Sequence, residues 1–117
     1  MAAQRLKNRT QAFGLSIIKL AHALPGNGPA RLIVPQLIRS GMSVGANFRA
    51  ACRARSNLEC IASLKIVEAE CDESIYWLEM LTGMDLRIVA SIKALIDEGN
   101  QILSTVAASI KTARKNS

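Results

Sequence analysis

Pro25-Gly26-Asn27-Gly28-Pro29 decides the fold. Its prolines remove backbone donors and its glycines are costly to order, so no helix or strand interior accepts it and it must be a connection. Upstream, Phe13, Ile17, Leu20 and Leu24 recur at helical steps, which predicts a first helix over about 5–24. Downstream, Val34, Leu37, Gly41, Val44, Phe48 and Cys52 fall on one stripe of a second helix, about 30–54. Ser56-Asn57-Leu58-Glu59 then has the capping-box spacing: the serine hydroxyl takes the amide of residue 59 and the Glu59 carboxylate returns to the serine amide. A third helix, 57–82, starts there and carries Cys60, Leu64, Val67, Cys71, Leu78 and Leu81, with Thr82-Gly83 as a stop in which glycine can turn left-handed. A fourth, about 85–112, carries Val89, Ile92, Ile96, Leu103, Val106 and Ile110, with Ile88, Leu95 and Ile102 as a second row. That face is wider than one seam needs; it is either a broad core face or a surface buried against another copy.

Short connections favour antiparallel neighbours, so the expected fold is all-α, an up-down-up-down four-helix bundle in one domain, 1–117. Composition agrees. The chain has 117 residues, half of them hydrophobic, and its only aromatics are Phe13, Phe48, Tyr76 and Trp77, so the core must be aliphatic, as in helix-on-helix packing.

The charges are segregated along the chain. Nine Lys and Arg precede the first acid, Glu59, and all nine acids lie from there on. An antiparallel bundle gathers Arg5, Lys7 and Arg9, then Arg49, Arg53 and Arg55, then Lys111, Arg114 and Lys115 at one end, opposed nearby only by Glu59. Helix dipoles favour cations at the ends of helices two and four, but not at the start of helix one. A polyanion-binding end is therefore expected, with arginine forks on phosphate oxygens and little base stacking, because Phe48 belongs to the core stripe. An anionic membrane would supply the same field, yet the apolar side of helix one is needed inside the bundle, so no membrane partner is expected.

Gln36, Ser40, Ser43 and Asn47, beside Arg39, form a polar row on helix two. It is either a binding row or, the preferred reading, a hydrogen-bonded row inside the bundle or between subunits, reaching Glu68, Asp72 or Glu79. Gly41 and Gly45 permit close helix approach, and Arg39 and Arg49 exclude a transmembrane dimer.

Enzyme chemistry finds little support. His22 stands alone as a helix-end residue, the acids of helix three form no Glu-x-x-His pair, and Cys52, Cys60 and Cys71 fit apolar stripes as structural thiols. No metal site and no cofactor are expected. Arg5, Lys7 and Arg9 followed by Ala21-His22-Ala23 imitate an export signal, but Lys19 interrupts the apolar stretch, so a reducing cytoplasmic setting is expected.

Pro35-Gln36-Leu37-Ile38-Arg39-Ser40, Ser43-Val44-Gly45-Ala46-Asn47-Phe48-Arg49, Arg55-Ser56 and Glu73-Ser74-Ile75-Tyr76-Trp77-Leu78-Glu79 together carry a resemblance over about 13–81. The chain resembles the four-helix bundle proteins associated with intervening sequences in bacterial 23S ribosomal RNA genes, a family that includes accessory proteins of diversity-generating retroelements. The resemblance implies a homopentameric ring with a basic surface; in the retroelement branch such a ring contacts nucleic acid and a reverse transcriptase. Ala50 and Ala51 stand where members usually carry a glutamate, so the end of helix two is more basic than in those members. The family has no established catalytic residues to carry over.

Two expectations of different kind follow. One is an oligomeric, non-enzymatic protein that holds nucleic-acid backbone at its basic end, with Arg49, Arg53 and Arg55 as main contacts. The other is a protein-interaction scaffold, for example for a reverse transcriptase, that uses Tyr76, Trp77 and the broad helix-four face.

Overall fold

The computed structural model describes residues 2–26, 28–84 and 89–116. Four helices follow in order, α1 (Ala2–Ala23), α2 (Ala30–Cys52), α3 (Asn57–Thr82) and α4 (Val89–Lys115). They form a rod of 48 × 20 × 20 Å. Each helix packs on the next, and α4 closes the square on α1. Cross-helix neighbours run in opposite senses: Gly45 faces Thr10, Arg39 meets Glu73, Cys71 meets Gly99, and Arg9 meets Glu98. The up-down-up-down bundle read from the sequence is the observed fold.

Connections follow their local chemistry. Gly28 has φ 80, the only positive φ among the described residues, which suits a residue without a Cβ. Pro29 then opens α2, and the amides of Arg31 and Leu32 bond to the carbonyls of Gly28 and Pro29 at 3.2 and 3.1 Å. At α3 the Ser56 hydroxyl accepts from the Glu59 amide at 3.1 Å, as the spacing predicts. The Glu59 carboxylate, however, accepts from the Arg55 amide at 2.8 Å rather than from Ser56, so the box reaches one residue further back. The left-handed stop expected at Gly83 is also wrong: its φ is −75, and α3 ends in a tight turn from the Gly83 and Met84 amides to Met80 and Leu81. Helix one begins at Ala2 rather than near residue 5, and α4 runs on to Lys115; the expected start of α4 at Asp85, and Ile88 in its second row, lie outside the described residues.

Phe13, Ile17, Leu37, Val44, Val67, Cys71, Leu78, Leu81, Ile92, Ile102 and Val106 are fully buried. On α2 the buried stripe is Ala30, Ile33, Leu37, Ser40, Gly41, Val44, Phe48 and Ala51, so it ends on Ala51 and leaves Cys52 exposed, contrary to the expected stripe. Both rows of α4 serve this core. Ile92, Ile102, Val106 and Ile110 are buried, and Leu95, Ile96 and Leu103 pack against them, so the helix-four face is a core face. Exposed large apolar residues lie elsewhere, on α1 and α2 (Leu15, Ile18, Leu32, Met42) and on α3 (Leu58, Ile66, Tyr76, Met80).

Small residues set the helix spacing. A Cβ on Gly41 would stand 2.5 Å from Ile17 Cδ1, one on Gly14 3.3 Å from the Gly41 carbonyl oxygen, and one on Gly45 3.3 Å from the Thr10 carbonyl oxygen. The close approach read from Gly41 and Gly45 is therefore real, and Gly14 supplies its other half. Gly99 does the same for α4, where a Cβ would meet Ile75 Cγ1 at 2.9 Å.

Candidate nucleic-acid interface

Antiparallel packing fixes which charges share an end. The first turns of α1, the last turn of α2, the α2–α3 connection and the last turns of α4 lie together. Arg5, Arg49, Arg53, Arg55, Lys111, Arg114 and Lys115 are exposed there and Lys7 is half-buried. Among the described residues, Arg5, Lys7, Arg49, Arg53, Arg55, Lys111 and Lys115 form no ion pair. Glu59, the one acid at this end, spends its carboxylate on the Arg55 backbone amide.

Arg9 departs from the predicted cluster. Its Nε and Nη2 donate to Glu98 at 3.0 and 2.8 Å, and Nη2 also reaches Gln101 at 3.1 Å. The bond to Glu98 raises its guanidinium above the ordinary arginine value, against a smaller opposing effect of burial. Arg9 thus ties α1 to α4 instead of facing an outside anion. The dipole argument also narrows: α1 starts at Ala2, so only Arg5 lies within its first turn, where the macrodipole is felt.

Between the helix ends lies an open cleft of about 570 Å³. Leu6, Phe48, Ala51, Cys52, Cys60 and Leu64 form its apolar part, with Asn57, Thr105, Ser109 and Thr112 around it. Asn57 fastens the end by donating to the Ala113 carbonyl at 2.6 Å. Cys52 and Cys60 are exposed and half-buried, so two of the three thiols do not take the buried role expected of them. Cys71 does: it donates to the Gly99 carbonyl at 3.3 Å, and burial pushes its pKa up to about 12, which keeps the thiol protonated.

The polar row of α2 turns inward and sideways. Ser40 is buried, donates to the Leu37 carbonyl at 3.2 Å and accepts from Ser74 at 2.9 Å. Asn47 donates to the Ser43 carbonyl and hydroxyl, while Gln36 is exposed. Arg39 bonds Glu70 and Glu73, not Glu68, Asp72 or Glu79, because those three lie on the far side of α3. Glu73 also accepts from Trp77 Nε1 at 2.9 Å. The Trp77 bond first, and Arg39 second, hold the Glu73 carboxyl below the usual carboxylate range. Tyr76 is half exposed and meets Trp77 edge-on, with ring centroids 5.0 Å apart. Ser40 and Arg39 thus tie α2 to α3, whereas Asn47 and Ser43 bond within α2 and Gln36 faces outward.

His22 is exposed in the last turn of α1. Among the described residues no three His, Cys, Asp or Glu side chains are grouped so as to hold a metal ion, and no helix is long and apolar enough to cross a membrane.

Sequence reasoning found the end but not its membership. Arg9 has the same spacing as Arg5, and only the position of Glu98 across the α1–α4 seam separates them. Gly14 and Gly99 were missed because an isolated glycine in a helix carries no periodic signal.

Among curated proteins no match is found. Among solved structures the chain is similar to the crystal structure of a protein of unknown function from the S23 ribosomal protein family of Bacteroides thetaiotaomicron VPI-5482. The two share 28% identity, with 95% of this chain and 99% of the other aligned at a TM-score of 0.84. The family model described as 23S rRNA-intervening sequence protein matches residues 4–108, which carries the likeness past Leu81 into α4. The chain belongs to that family of 23S rRNA-intervening sequence proteins.

Proposed function

We propose that this protein is a non-enzymatic, oligomeric helical bundle that holds nucleic-acid backbone at its basic end. The carrying observation is the gathering at one end of Arg5, Lys7, Arg49, Arg53, Arg55, Lys111 and Lys115, which form no ion pair among the described residues, whereas Arg9 and Arg39 are paired with carboxylates across helix seams. An end face 20 Å across matches roughly six base-pair rises of about 3.4 Å, wide enough for several phosphates of one strand. Guanidinium groups at the end of α2 suit bidentate phosphate contact, and the lack of an exposed aromatic there argues for backbone rather than base recognition.

The test is fluorescence anisotropy with labelled duplex and single-stranded RNA and DNA, comparing the protein with R49E/R53E/R55E. Binding that weakens steeply with salt and is lost in the variant is expected. No binding near physiological salt would overturn the reading and favour a protein scaffold, for which the exposed Tyr76 and Met80 speak.

A further inference from the structure

The cleft at the basic end has a chemistry that phosphate contact alone does not use. All four helices line it, and it is open because the side chains there are small: α1 brings Ala2 and Ala3 and α4 brings Ala108, Ser109 and Ala113, whereas nearer the middle of the rod α4 fills the core with Ile92 and Ile102. Its volume of about 570 Å³ lies within the range of small-molecule sites, roughly 300–1,000 Å³. Leu6, Phe48, Ala51 and Leu64 give it an apolar wall, to which the thiols of Cys52 and Cys60 add little polarity. One turn beyond Leu6, Arg9 bridges the α1–α4 seam to Glu98 and Gln101, and Phe13, Ile102 and Val106 are fully buried, so the cleft is closed towards the middle of the rod.

The polar side chains along this cleft are committed to the protein's own backbone. Thr105 and Ser109 donate their hydroxyls to the Gln101 and Thr105 carbonyls at 2.9 and 3.0 Å, and Asn57 donates to the Ala113 carbonyl. A hydroxyl has one hydrogen to give, so neither Thr105 nor Ser109 has a donor left for a sugar or a base, and the wall offers a ligand mainly hydrocarbon contact. Charge is concentrated at the rim. Arg5 adjoins Leu6 in the chain, Arg53 adjoins Cys52, Lys111 adjoins Thr112 and Lys115 adjoins Asn116, and none of these four cations forms an ion pair among the described residues. An apolar interior under a cationic rim is complementary to an alkyl chain that ends in an anion. In the terminal turns of the helices at this end Leu58 is the one exposed large apolar residue described, too little apolar surface to enter a bilayer, so the ligand reaches the cleft as a free molecule.

We propose that the cleft is a binding site for a free long-chain carboxylate, with its alkyl chain among Leu6, Phe48 and Leu64 and its carboxylate among Arg5, Arg53, Lys111 and Lys115. The site goes beyond the nucleic-acid reading and does not depend on it. Because the same cations belong to the phosphate-binding set, a bound carboxylate competes with nucleic acid for this end.

Isothermal titration calorimetry on nucleic-acid-free protein, below the micelle concentration, tests it with octanoate, decanoate, dodecanoate and dodecyltrimethylammonium. One dodecanoate per chain is expected, with affinity rising roughly tenfold for each added pair of methylenes, and the ammonium amphiphile of equal chain length should bind far more weakly. S109L and A113L, which fill the cleft, should each abolish dodecanoate binding and keep the helical circular dichroism of the wild type. R53Q/K111Q, which leaves the apolar wall intact, should weaken dodecanoate about fivefold. Vesicles of phosphatidylglycerol separate the two sources of an alkyl chain: co-sedimentation that S109L and A113L abolish would assign the cleft to a membrane lipid and overturn the free ligand. The proposal is also overturned if dodecanoate does not bind, if affinity is independent of chain length, if dodecyltrimethylammonium binds equally well, or if both filled variants bind as the wild type does. None of these results bears on phosphate binding, which R49E/R53E/R55E reads separately.

Discussion

Around Ser40 and Gly41 the space is filled and the polar atoms are matched: Ser74 donates to Ser40, Ser40 to the Leu37 carbonyl, and Ile17 leaves no room for a Cβ on Gly41. Around Arg53 and Arg55 the opposite holds: among the described residues neither forms an ion pair, a cleft of about 570 Å³ opens between the helix ends, and the Glu59 carboxylate is turned to the backbone. The middle of the rod is arranged for stability at the level of single methyl groups. The end bears like charges that folding alone does not require, so changes in the middle should cost stability and changes at the end should cost binding.

The largest expected effect is in the middle. Leu78→Ala, at a position with no exposure, should destabilise by about 2–5 kcal/mol through lost burial and a residual cavity, read from urea unfolding. Gly41→Val should cost about 1–3 kcal/mol by overpacking against Ile17, even though valine is the better helix former. If Gly41→Val were neutral, the α1–α2 approach would be looser than described. Ser74→Ala should lose about 1 kcal/mol, and a double-mutant cycle with Ser40→Ala should show coupling of similar size.

At the end, R53E and R55E should each change unfolding free energy by no more than about 0.5 kcal/mol, because neither arginine makes an ion pair there. A loss as large as that of Ser74→Ala would break the comparison. The smallest effect is a pH dependence. Glu73 has its carboxyl lowered in the folded state, so its contribution is complete above the ordinary carboxylate pKa and fades as pH falls through the lowered folded value. The stability gap between the wild type and E73Q should close on acidification; a gap constant with pH would dissociate Glu73 from its Trp77 and Arg39 partners.

Most of the architecture was legible in residues, and the failures share a cause. Pro25 to Pro29, Ser56 with Glu59, and the Leu37, Val44 and Phe48 spacing are local signals, so they placed α2 and α3 almost to the residue. What depended on a neighbouring helix was not legible. Nothing in the sequence near Arg9 announces Glu98, nothing near Gly14 announces the Gly41 carbonyl, and the partners of Arg39 depended on which side of α3 faces α2. The helix-four face illustrates the same limit: its two rows look like surplus until α1 and α3 are both placed against them. Surplus apolar surface exists, but on Leu15, Met42, Tyr76 and Met80, outside the core stripes that the sequence displays most plainly.

The most direct test of the central claim compares the two ends of the rod. Salt dependence of binding to a duplex should be measured for the wild type, for R53Q/R55Q at the basic end, and for R31Q/K93Q at the opposite end, where both residues are also exposed. Each phosphate contact contributes about 0.9 to the slope of log affinity against log salt, so the account predicts a slope shallower by about 2 for R53Q/R55Q and unchanged for R31Q/K93Q. Equal losses in the two variants would contradict it, because binding would then follow net charge and not the assembled end.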